Sequence, residues 1–192
     1  MPERRSGVLL HISSLPNQWG IGDFGPEAYH FIDWLEMTGQ SFWQILPLTY
    51  PDSTRSPYTS TSANAIYSQF LNPEMLWRSG FLNDEDWNTC VQARNAKSPD
   101  ARGQALSFAY EKWKKEEDHT DFKTFCHVHN YWLHDTALFM TIHDRYSGAW
   151  YDFPNGLRNR EPEQFHVGKQ DRPMRYFDLN LNSMFYFHNG RI

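Results

Sequence analysis

A chain of 192 residues is long enough for one generous domain and falls short of the roughly 250 residues that a complete enzyme barrel takes. A net charge of -5, with Lys and Arg scattered rather than clustered, excludes a groove that tracks nucleic-acid phosphates. Two cysteines, Cys90 and Cys126, with no CxxC, predict reduced thiols and a cytoplasmic chain without a disulfide.

The amino terminus, MPERRSGVLLHISSLP, carries two arginines and then a short apolar stretch that His11 interrupts, which is neither a signal peptide nor a membrane span. Residues 7 to 12, GVLLHI, are bounded by Gly7 and by the turn Ser13-Ser14-Leu15-Pro16, and predict a buried strand. The glycine-rich loop NQWGIGDFG follows. Pro26 then stands at a first helical position beside Glu27, and Ala28, Phe31, Ile32 and Leu35 share one helical face that ends at Gly39. Residues 42 to 48, FWQILPL, again read as a strand. Strand, helix and strand within this distance predict a βαβ unit with a right-handed crossover.

Residues 49 to 72 leave the second strand at its carboxyl end, where parallel α/β folds take their ligands. They contain SPYTSTSANA, residues 56 to 65. A buried segment could not satisfy so many hydroxyls, so the run is either solvated loop or a polar lining that reads another polar surface. An aromatic share of 17%, with eight Trp, allows the same two readings: a Trp-rich core, or flat faces that stack on sugars or nucleobases.

From Asn72 the pattern becomes helical. Pro73 opens a helix through Trp77, Asn83 to Asp86 supply a cap for a helix over 87 to 95, and Ala101, Ala105, Phe108, Ala109 and Trp113 mark a third. Phe125, Val128, Trp132, Thr136, Phe139, Met140 and His143 predict one long helix from Asp121 to Arg145. KWKKEEDH, from Lys112, reads as a solvated helix end. The predicted organisation is residues 1–72 as βα units with a substrate-facing loop, 73–150 as a helical subdomain, and 151–192 as a loop and poorly structured tail.

Tests for chemistry return little. His11 lies near Ser13 and Ser14, but no GxSxG elbow or orienting acid accompanies them. His127, His129, His134 and His143 lack an HExxH frame, so no metal is expected. Gly20, Gly22 and Gly25 have the GxGxxG spacing. The loop before them is too long for the dinucleotide turn, and no acid ends the second strand. Asp23, Asp33, Asp52 and Asp135 read as single acids in capping, loop or solvated positions rather than as a catalytic pair.

GVLLHISSLP, GIGDFGPEAYHFIDWLEMTGQSFWQILPL, SPYTSTSANA and NPEML, followed by WLHDTALFM and LRNREPE in that order, resemble the 4-α-glucanotransferase (amylomaltase) family from about Ser6 to Glu163. The resemblance implies an α/β fold, the N-terminal part of a (β/α)8 TIM barrel with an inserted helical subdomain. It also implies transfer of an α-1,4-glucan segment to a sugar acceptor by retaining double displacement, with a nucleophilic carboxylate and an acid/base carboxyl about 5–5.5 Å apart. No cofactor and no metal take part in that chemistry. The family's SPYxS segment lines the donor cleft, which implies Ser56 and Tyr58 as substrate-binding residues. The alternative for Tyr58 is a loop anchor packed under the helices.

The resemblance places the family's catalytic acids beyond the matched part, so no catalytic residue is assigned and the chain is expected to be inactive alone. The expected partners are α-1,4-glucans and maltooligosaccharides, with no nucleic acid, membrane or protein partner. The segment after Glu163 is expected to depart from the family, as a frameshift or disrupted copy would. A non-catalytic glucan-binding or vestigial fragment is the alternative.

Overall fold

The computed structural model describes residues 4–161, which fall into two compact units, 4–117 and 118–161. The tail expected to be poorly structured lies outside the described residues beyond Glu161.

The first unit opens with β1 (Gly7–Leu9), α1 (Pro26–Met37) and β2 (Phe42–Gln44). β1 and β2 pair in parallel with Gly7 opposite Phe42 and Leu9 opposite Gln44. The expected βαβ unit is present, with shorter strands. Past Leu10, whose N–H reaches Gln44 O at 3.0 Å, the chain bends into a 3-10 turn at Ile12–Ser14. On the other strand Pro47 has no N–H to continue a ladder. Gly7 is required by proximity, since a Cβ there would stand 2.6 Å from the Phe42 carbonyl oxygen.

Side chains alternate across a strand, so Val8 and Trp43 share one face. Trp43 meets Phe31 of α1 edge to face at 4.9 Å and donates its indole N–H to Leu10 O at 2.7 Å. Beneath them Ile12, Leu15, Ala28, Leu48 and Phe70 form the core that binds α1 to the strands and to the returning loop. Pro26 starts α1, and the Thr38 hydroxyl closes it on Trp34 O at 2.9 Å.

Three helices complete this unit: α2 (Pro73–Arg78), α3 (Asp84–Asn95) and α4 (Ala101–Trp113). Asn72 caps α2 by accepting from the N–H groups of Glu74 and Met75 at 2.9 and 3.2 Å, and Asn83 caps α3 by accepting from Asp86 N–H at 2.8 Å. Leu76, Leu82, Cys90, Ala105 and Ala109 are buried among them. Trp77 and Trp87 stack at 5.1 Å, Trp19 follows at 5.7 Å, and the Arg94 guanidinium lies over Trp19 at 5.0 Å. Three of the eight tryptophans thus pack against one another, Trp77 and Trp87 face to face and Trp19 tilted against Trp87.

In the second unit the single helix expected over 121–145 is two helices, α5 (Thr120–Val128) and α6 (Asn130–Tyr146), followed by the short α7 (Asn155–Arg158). The break is one residue, His129, at φ -100° and ψ 10°. No Gly or Pro marks it, and apolar periodicity runs straight through it. Leu138 and Ile142 of α6 pack with Phe153 and Leu157, while α5 has no fully buried residue. No described helix is long and apolar enough to cross a membrane.

Candidate functional site

Residues 49–66 leave β2 and return as a latched excursion, with antiparallel bridges at Thr49–Ile66 and Pro51–Ser60. Tyr50 N–H bonds Ala65 O at 3.0 Å, Thr61 N–H bonds Tyr50 O at 2.9 Å, and Asp52 N–H bonds Thr59 O at 3.0 Å. The Tyr50 hydroxyl pairs with the buried Ser68 Oγ at 2.6 Å, which fixes the loop to the core beside Phe70.

Most of the hydroxyls in the run shape the loop itself. The Asp52 carboxylate accepts from Thr54 N–H at 2.8 Å, from Thr54 Oγ1 at 2.5 Å and from Thr59 Oγ1 at 2.9 Å. Those bonds hold its carboxyl below the usual carboxylate range. Ser60 donates to Tyr50 O at 2.9 Å, and Ser62 Oγ accepts from Ala65 N–H at 3.2 Å. Ser56 and Tyr58 sit at the tip, where Tyr58 N–H reaches Ser56 Oγ at 3.3 Å. Ser56 is half-buried, while the Tyr58 ring is 76% exposed, so Tyr58 is not packed under the helices as an anchor would be.

The other candidates do not assemble. His11 leans edge-on against Phe70 at 5.6 Å, its Nδ1 is buried without a hydrogen-bond partner, and burial lowers its pKa. No hydrogen bond links it to the Ser13 or Ser14 hydroxyl among the described contacts. His127 and His134 are exposed, and His129 Nδ1 accepts from the Trp132 indole at 3.3 Å. Among the described residues no three His, Cys, Asp or Glu side chains stand together as a metal site requires. Asp33 is exposed, and Asp135 pairs with Arg160. A cavity of about 280 Å³ lined by Phe122, Cys126, Asn130, Leu133 and His134 lies between α5 and α6, and its walls are largely apolar.

Asp23 departs from expectation. It is neither solvated nor a simple cap but 1% exposed, and its Oδ2 accepts from Arg102 Nη2 of α4 at 2.7 Å. Its Oδ1 accepts from Asn72 Nδ2 at 2.9 Å and from Gly25 N–H at 3.0 Å. Burial pushes the carboxyl up, against the pull of the guanidinium. The glycines of GIGDFG serve this packing: a Cβ on Gly22 would collide with Ile12 O, and one on Gly25 with Asn72. The signal in the sequence was Arg102 itself, a charge on the apolar stripe of Ala105 and Ala109.

A parallel βαβ unit whose second strand feeds a polar, aromatic-tipped loop belongs to the class of α/β proteins that take ligands at the carboxyl ends of their strands. Within that class the chain belongs to the 4-alpha-glucanotransferase family, whose sequence model matches residues 10–180. The 4-alpha-glucanotransferase of Aquifex aeolicus is 34% identical over 196 residues, which cover 96% of this chain and 36% of that protein. That of Streptococcus pneumoniae is 37% identical over 81% of this chain and 32% of its own length. The solved amylomaltase of Streptococcus agalactiae in complex with acarbose superimposes with a TM-score of 0.79 at 33% identity, covering 97% of this chain and 39% of that one. The chain therefore spans about a third of the length of these relatives.

The family match also corrects one expectation. It runs on through residue 180, so the loss of similarity expected after Glu163 does not occur there, and the frameshift reading loses its motivation.

Proposed function

We propose that the chain serves α-1,4-glucan transfer, supplying the first βα units of a (β/α)8 barrel and one wall of the donor cleft. Ser56 offers a hydroxyl contact to a glucose unit and Tyr58 a ring or hydroxyl contact. The observation that carries this reading is the Tyr58 ring, 76% exposed at the tip of a loop that leaves the carboxyl end of β2. A sugar presents apolar ring faces and hydroxyls that both donate and accept, which suits an exposed phenol beside a serine. Acarbose bound to the related amylomaltase supports a glucan as the ligand. The chemistry would be retaining, with its two carboxyls about 5–5.5 Å apart. Asp23, the buried acid of the first unit, is committed to Arg102 and is not one of them.

The test is a titration of the chain with maltoheptaose, following backbone amide shifts. Shifts should concentrate in residues 52–62, and Tyr58→Ala should weaken binding by about 1–3 kcal/mol with little change in melting temperature. Shifts confined to other segments would refute the assignment. So would a Tyr58→Ala variant that binds normally and melts many degrees lower.

A further inference from the structure

We propose that Asp52 is the positioning residue of this turn: its carboxylate holds the segment from Thr54 to Thr59 closed, so that Ser56 and Tyr58 stand presented before a glucan arrives. The inference rests on the donor-cleft reading above and goes past it, since neither composition nor the resemblance gives Asp52 a role.

The geometry is a closed ring. Asp52 N–H bonds Thr59 O at 3.0 Å, and Asp52 O accepts from Arg55 N–H at 3.0 Å. Asp52 Oδ1 takes Thr54 N–H at 2.8 Å, Thr54 Oγ1 at 2.5 Å and Thr59 Oγ1 at 2.9 Å. The two threonine hydroxyls lie 3.0 Å apart, so one oxygen ties both ends of the tip together. From Thr54 the chain of bonds runs outward: Ser56 N–H reaches Thr54 Oγ1 at 3.3 Å, and Tyr58 N–H reaches Ser56 Oγ at 3.3 Å. Ser56 thus hangs on Asp52 through the Thr54 side chain, and Tyr58 hangs on it through Ser56 and Thr54 in turn. Within the ring Arg55 adopts φ +57°, a left-handed conformation that a non-glycine residue holds only where its surroundings impose it.

Such a latch acts by preorganisation. An open, mobile tip would have to be ordered when sugar binds, and that ordering subtracts from affinity. The three donors converge on Oδ1, and the amide oxygen of asparagine keeps an uncharged acceptor at that place, whereas alanine offers none. Asp52→Asn and Asp52→Ala therefore separate the latch from the charge. Thr59→Val removes one strut from the opposite side of the ring.

The experiment titrates maltoheptaose into the full 192-residue chain and its variants, following amide shifts, and measures tryptic cleavage at Arg55–Ser56 without sugar. Asp52→Ala should bind about tenfold more weakly, be cut several-fold faster, and melt like the parent. Asp52→Asn should remain within about twofold of the parent in both readouts, and Thr59→Val should fall between them. Parent-like binding by Asp52→Ala, or binding by Asp52→Asn as weak as that of Asp52→Ala, would overturn the latch. Failure of the parent to bind maltoheptaose refutes the donor-cleft reading, and with it the presentation to glucan. Cleavage at Arg55 then reports only whether Asp52 orders the turn.

Discussion

His11 stands where β1 gives way to the 3-10 turn, with its ring against Phe70 and a buried nitrogen that has no partner. Burial disfavours the imidazolium, so the folded-state pKa lies below the ordinary 6.5. The unfolded chain then binds the proton first as pH falls. The contribution of His11 to stability is complete above about pH 6.5 and declines below it until the folded pKa is passed. Urea midpoints measured from about pH 7.5 down to pH 5 should fall for the parent, and the slope should be shallower in His11→Gln, which cannot titrate. Equal slopes would show that the group ionises alike in both states. At this scale the sequence is readable where a residue announces itself by type and place. The exposed loop position of Tyr58, in a hydroxyl run after a strand, was readable in this way; the bonds of Asp52 were not, because they reach backbone and hydroxyl groups two and seven residues away.

Between elements, the Asp23 network supplies a connection that sequence motifs hide. It ties the loop before α1, the cap of α2 and the body of α4 around one carboxylate, and two Arg102 nitrogens remain buried without partners. A buried pair of this kind is costly to break one-sidedly because the survivor keeps its charge without compensation. Arg102→Met should lower unfolding free energy by about 3–5 kcal/mol in urea titrations. Adding Asp23→Asn to Arg102→Met should recover much of that loss, since the amide oxygen it introduces can still accept from Gly25 and Asn72 and carries no charge. A single variant with parent stability, or a double variant as weak as the single, would deny the network its role. Helix starts were legible through Pro26, Pro73 and Asn83, each of which acts on the next few residues. The break at His129 and the contact from Asp23 to Arg102 were not, because one lacks a breaker residue and the other joins distant segments.

For the molecule as a whole, the described sheet has two strands, β1 and β2, of three residues each. Register places residues 7, 9, 42 and 44 on the face opposite Val8 and Trp43, and there Leu9 is 58% and Phe42 54% exposed. Among the described residues each strand also has one unpaired edge. Sheets of this size gain stability from further strands, and an open parallel edge is a template for pairing with another chain. In the relatives the matching segment is about a third of the protein, which leaves ample polypeptide to complete such a sheet. Prepared as a separate polypeptide of 192 residues, the chain should therefore self-associate. Light scattering across a concentration series should show growing mass at micromolar protein. Leu9→Lys combined with Phe42→Lys should suppress it while circular dichroism keeps the helical signal, because both side chains project away from α1. A chain that stays monomeric at high concentration and unfolds in one sharp transition would show that the exposed face and edges are no liability. If instead the double variant associates as strongly as the parent, the driving surface lies elsewhere than on this sheet.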